Sequence, residues 1–393
     1  MSTWRRKLLF ILLVAGIIFA WLYLGFAMFN DQSHEVFSPL LEQEIILEKI
    51  DFALPTPTPL QIAAAAPKLK QAAWIPDWDM ANGIESLQQT PHSFDSISPV
   101  WYYLNNDGTV KRNQTKFTQI RDLAKANGIK LIPSLADFEA DNMHKVLENE
   151  TTLQAHVDYL ITEIETYNYD GIDLDYESIY LDDQSAYIEL IRRMYEYLDN
   201  KGKTLTVAVM PKWSDLDIYN SLRQTRLVQD WTELIPIVHE LRIMAYNYTD
   251  YRASYPGPVA PIDWAEAVLR YAKSKGVMSK VVLGASMYGY DGWSEDPTVN
   301  SPYIGILSNR DAGKGMADAV TYEAAMKRKQ YAVSNILDQN TGEKLMKYKF
   351  EDKTYVVFYQ DRTSNALRKQ LAQQYGVSGV AYWRMGDEDI GSY

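Results

Sequence analysis

Between residues 72 and 384, eight short runs rich in Val, Ile, Leu and aromatic residues recur: AAWIPDW (72–78), ISPVWYYL (97–104), KLIPSL (130–135), GIDLDYE (171–177), TLTVAVM (204–210), LRIMAY (241–246), KVVLGASMY (280–288) and GVAYWR (379–384). Longer stretches with apolar residues at helical spacing separate them, among them 115–128, 152–167, 184–202 and 261–276. Several stop at glycine, and the last opens on Pro261, which a first helical turn tolerates. Strand–helix alternation argues for a parallel sheet, because parallel neighbours need a crossover. Eight repeats predict an α/β fold, a closed (β/α)8 TIM barrel, whose usual length of about 250 residues fits inside this chain. An open doubly wound sheet is the alternative, but no Gly-rich phosphate loop follows any run. Residues 289–362 are too long for one connection and include TYEAAMKRKQYA (321–332), KLMKYKF (344–350) and TYVVFYQD (354–361). They predict a small α+β insertion between strands seven and eight, at the barrel end where loops shape a groove.

The fourth run carries Asp173, Asp175 and Glu177 at alternate positions, with Ile172, Leu174 and Tyr176 between them. On a strand, alternate side chains share a face. The apolar set belongs against the helices, so the acids point to the barrel axis, spaced about 6.6 Å along the chain at about 3.3 Å per residue. Glu177 ends the strand, where barrel enzymes keep their chemistry. Three carboxylates in a confined site cannot all ionise, so at least one keeps its proton near neutral pH, as a general acid requires. A solvated acidic loop and a divalent-metal site are the competing readings.

The N-terminus is of a different kind. Arg5, Arg6 and Lys7 precede 22 uncharged apolar residues (8–29), and about 20 span a bilayer as a helix. The charge asymmetry predicts residues 1–29 as cytoplasmic tip and retained anchor, with the remainder outside the cell membrane; the alternative is a cleaved signal peptide and secretion. Residues 30–70, with LPTPTPL at 54–60, read as a stalk, leaving 71–393 as the catalytic part. The net charge of −12 argues against a nucleic-acid partner. There is no cysteine, and the five histidines show no metal-ligand spacing.

DGIDLDYE resembles the DGxDxDxE signature of the family-18 glycoside hydrolases, the chitinase-like barrels, with Asp170, Gly171, Asp173, Asp175 and Glu177 all in place. LRIMAYNY resembles that family's Met-x-Tyr-Asp motif through Met244 and Tyr246, and GVAYWR matches its strand-eight tryptophan through Trp383. LGASMYGYDGW (283–293) is similar to the strand-seven motif of the bacterial branch acting on cell-wall and spore-cortex glycans. Two departures stand out: the strand-three SxGG is Ser134-Leu135-Ala136-Asp137, and the strand-six aspartate is Asn247.

The resemblance implies a substrate-assisted retaining glycosidase, cofactor-free and metal-free, acting on N-acetylhexosamine polysaccharides such as peptidoglycan, chitin or exopolysaccharide. Glu177 is implied as acid and base, Asp175 as the group that orients and stabilises the oxazolinium, Asp173 as its tuner and Tyr246 as donor to the acetamido oxygen. Trp383, Asn247, Met244, Tyr288, Trp74 and Tyr102 are the expected substrate-binding set, since flat rings stack on sugar faces. The alternative is a catalytically silent carbohydrate-binding protein on the same barrel.

Overall fold

A computed structural model describes residues 68–214, 223–249, 256–276, 278–294 and 315–393. The apolar run 8–29 and almost all of the stalk lie outside the described residues. Among the described residues, no helix is long and apolar enough to cross a membrane. Seven parallel strands follow in order: β1 (Lys70–Ile75), β2 (Ser96–Leu104), β3 (Ser134–Asp137), β4 (Gly171–Tyr176), β5 (Thr204–Val209), β6 (Glu240–Ile243) and β7 (Val281–Ser286). The insertion then contributes β8 (Gly289–Ser294), β9 (Gly315–Val320), β10 (Ala332–Asp338), β11 (Glu343–Phe350) and β12 (Lys353–Tyr359), before β13 (Gly379–Trp383) completes the barrel. Each barrel strand pairs in parallel with its predecessor, and β1 pairs with both β2 and β13, which closes the ring.

The period-two pattern of β4 has the expected outcome. Ile172, Leu174 and Tyr176 enter the core between barrel and helices, where Tyr187, Leu190, Ile191 and Met194 of helix Gln184–Asn200 meet them. Gly171 is required by closure: a Cβ there would lie 1.9 Å from the Thr204 carbonyl oxygen on β5.

Two strands differ from expectation. The run 130–135 is broken into Lys130–Leu131 and β3, because Pro133 between them has no N–H for the ladder. The run 241–246 leaves the sheet after Ile243. There the Ala245 and Tyr246 N–H groups donate to Ile243 and Met244 at 2.8 Å, two residues back, and Asn247 follows in the left-handed region at φ 61°. These tight turns lift Tyr246 over the barrel mouth. Gly284 of β7 leaves the space: a Cβ there would come within 3.1 Å of the Tyr246 ring.

The insertion is a five-stranded antiparallel sheet in the order β9-β8-β12-β11-β10, with helix Tyr322–Arg328 packed on it. Its anchor to the barrel is Glu343, the first residue of β11. That buried carboxylate accepts from Val259 N–H at 3.0 Å and Ala260 N–H at 2.6 Å. It also pairs at 3.1 Å with Arg368 of helix Arg362–Tyr375. One side chain thus fixes the insertion against both the loop after β6 and an outer helix.

Candidate active site

The barrel interior is a column of alternating charge that rises from the N-terminal end of the strands. At its base, Lys70 on β1 meets Glu240 on β6 at 3.3 Å, and Glu240 meets Arg242, two residues on, at 3.3 Å. Arg242 is fully buried; it donates to the Ser98 hydroxyl at 2.8 Å, to Asp173 on β4 at 3.2 Å, and lies over the Trp74 ring. Burial pushes the Glu240 carboxyl up, and Arg242 and Lys70 outweigh it, holding it below the usual range. Asp173 is saturated with donors: Trp74 Nε1 at 2.8 Å and Ser134 Oγ at 2.8 Å reach one oxygen, while Thr206 Oγ1 and Arg242 reach the other.

Above Asp173 the pattern stops. Asp175 is buried, and its Oδ1 has no hydrogen-bond partner among the described residues. Burial drives its carboxyl well above the usual range, and the charges of Glu177 and Asp173 add to the effect. Glu177 stands partly exposed at the rim, its N–H fixed to the Asp137 carbonyl at 2.8 Å. Burial pushes its side chain up to about 7. The Tyr246 hydroxyl is likewise raised by burial and then by Asp175, Glu177 and Asp173, so all three acids bear on it. The site therefore holds a carboxyl raised toward neutral pH at the rim and, in the dry recess below it, an under-coordinated aspartate and a neutral phenol donor.

The expected sugar contacts divide. Met244, Tyr246, Tyr288, Trp74 and Trp383 belong to one cluster at the mouth, apart from the main core. Trp383 is the partly exposed member, its ring edge-on to Trp74 at 6.1 Å and to Trp78 at 6.2 Å. Trp74, only 1% exposed, supports Asp173 from within the barrel and offers no face for stacking. Asn247 is exposed at the rim, and its Oδ1 accepts from the Tyr288 hydroxyl.

Tyr102 is a correction. It points out of the barrel into the helical core, with its hydroxyl 3.0 Å from both Glu163 and Tyr169. The pairing of β2 with β3 shifts register between Val100 and Tyr102, a bulge that adds one residue and reverses the alternation beyond it. Tyr103 therefore faces inward. Its hydroxyl donates to Asp77 at 2.8 Å, and the Asp175 charge helps hold it protonated.

Arg242, Ser134, Thr206 and Tyr103 were missed as site residues; Trp78, one of the aromatics the sequence places at strand ends, is 63% exposed at the rim. Arg242 carried a signal: a cation at an inward position of a barrel strand, two residues from Glu240, needs a buried partner. Its partner became visible only with the strand order.

A model of the glycosyl hydrolases family 18 matches residues 71–389. The chain belongs to this family. It is a glycosidase, built on the family's closed barrel. Among curated proteins, the chain is 24% identical over 260 residues to an uncharacterized glycosylase, YvbX, of Bacillus subtilis, covering 65% of this chain and 68% of YvbX. It is 25% identical over 308 residues to the cortical fragment-lytic enzyme of Bacillus anthracis, covering 74% of this chain and 66% of that enzyme. Among solved structures, the spore cortex-lytic enzyme SleL of Bacillus cereus superposes with a TM-score of 0.70 at 22% identity, covering 82% of this chain and 72% of SleL.

Proposed function

We propose that this family-18 member cleaves β-linked N-acetylhexosamine glycans with retention, using the substrate's own acetamido group. The observation that carries this reading is the inequality among the three acids. Asp173 is saturated, Asp175 has an unpartnered oxygen, and Glu177 is poised near 7. In this reading Glu177 gives its proton to the glycosidic oxygen as the bond to the anomeric carbon breaks. The acetamido carbonyl oxygen, held by the Tyr246 hydroxyl, forms the new bond to that carbon. Asp175 accepts from the acetamido N–H and offsets the oxazolinium charge. Glu177, now a carboxylate, takes a proton from the water that opens the ring. Trp383 supplies an apolar floor for the sugar.

Relatives named as cortical fragment-lytic and spore cortex-lytic enzymes favour an envelope glycan over chitin as the polymer. The basic cluster and apolar run at residues 5–29 support a tether that keeps the barrel outside the cell membrane, close to that glycan. The test is a panel of muropeptides, chitooligosaccharides and their de-N-acetylated counterparts, with product anomers followed by NMR. The reading expects cleavage of acetylated substrates only, releasing the β-anomer first. Binding without cleavage across the panel overturns it in favour of a silent sugar-binding barrel, and equal cleavage of de-N-acetylated glycans overturns the substrate-assisted step.

A further inference from the structure

We infer that Arg242 is a positioning residue of the acid ladder: buried beneath the three acids, it fixes Asp173 as a carboxylate and so confines the working proton to the Asp175–Glu177 pair. The inference rests on the reading of Glu177 as the acid and goes beyond it, to what decides where the proton sits.

A carboxylate offers about four acceptor positions, and Asp173 meets four donors. Two of them, the indole N–H of Trp74 and the guanidinium, can only donate, one to each oxygen, so each Asp173 oxygen is engaged as an acceptor. Arg242 does not give up its charge in a protein. Among the described residues it is the cation in contact with Asp173. Glu240 and, through it, Lys70 complete the charge alternation below. The other groups facing the ladder are the phenols of Tyr246 and Tyr103 and the hydroxyls of Ser96, Ser98, Ser134 and Thr206, and the Tyr187 phenol on the helix side of β4 also feels Asp175. The phenols are all held neutral by burial first and by the acids second. With the acceptor positions of Asp173 filled from below, the acid that bears most on Asp175 is Glu177 above it.

Removing the positive charge should let every acid above hold protons more tightly, and removing Glu240, which draws on Arg242, should do the reverse. The experiment compares full-length wild type, Arg242→Met, Arg242→Lys and Glu240→Gln. Two readouts serve: the pH profile of kcat/KM on an acetylated oligosaccharide, and carboxyl-carbon NMR titration of Asp175 and Glu177, which needs no turnover. Arg242→Met should move both limbs of the profile and the Glu177 titration up by about one pH unit. Arg242→Lys should restore them, and Glu240→Gln should move them down by about half a unit. Titrations that stay at their wild-type positions in Arg242→Met and Glu240→Gln overturn the inference, whatever happens to the rate. If Arg242→Met does not fold, the direction of the Glu240→Gln shift decides. A wild type that titrates as expected yet cleaves nothing defeats the glycosidase reading and leaves the placement of Arg242 standing.

Discussion

Asp173 and Asp175 sit two residues apart on one strand and face the same axis, but their surroundings differ in kind. Asp173 lies on the barrel floor with four donors, one of them a guanidinium. Asp175 lies one pleat higher, also buried, with an oxygen that meets no donor among the described residues and with an acid on either side. The floor is built for stability: its charges are paired, and its hydroxyls are spent on them. The mouth leaves one Asp175 oxygen without a partner among the described residues. Identical side chains have become a fully paired structural group and an unpaired reactive one because of what neighbouring strands bring to each level.

The largest effects should separate these levels cleanly. Glu177→Gln should lower kcat by about a thousandfold or more, since it removes the proposed proton donor, while oligosaccharide binding measured by calorimetry stays near wild type. Asp175→Asn should likewise abolish turnover and leave the urea midpoint almost unchanged, because an amide replaces a carboxyl already pushed toward neutrality. Asp173→Asn should act the other way. It takes one of two carboxylates from buried Arg242, leaving Glu240 at 3.3 Å, and should cost about 1–3 kcal/mol of unfolding free energy. Equal losses of stability in both aspartate variants would erase the distinction between floor and mouth.

The sequence carried more of the mouth than of the floor. Alternation on β4 placed the three acids on one face because strand periodicity is local and strict, and the eight strands showed themselves in the same way. Arg242 was not legible as a site residue, since its partner lies on another strand and only the register brings them together. Tyr102 was misassigned because a bulge changes phase without changing composition. Strands β8, β9 and β10 escaped notice because their residues include glycine, aspartate and asparagine, which are poor strand signals.

A smaller contrast sharpens the rim. Trp78 is exposed beside Trp383, whereas Tyr102 is bonded into the helical core. Trp78→Ala should weaken oligosaccharide binding by about 1 kcal/mol, roughly fivefold in KM, with no change in thermal midpoint. Tyr102→Phe should lower stability by about 1 kcal/mol, through the buried Glu163 and Tyr169 partners it leaves, and should not move KM. The opposite assignment of effects would mean that the bulge in β2 is misplaced.

The charge state of Glu177 is the point on which the mouth turns, and the pH dependence of kcat/KM on an acetylated oligosaccharide reads it directly. A carboxyl raised to about 7 is protonated below that value and loses its proton above it. Cleavage should therefore fall tenfold per unit as the pH rises past about 7. Activity that holds level or climbs through pH 9 would mean that Glu177 is already ionised and is not the group that protonates the leaving oxygen.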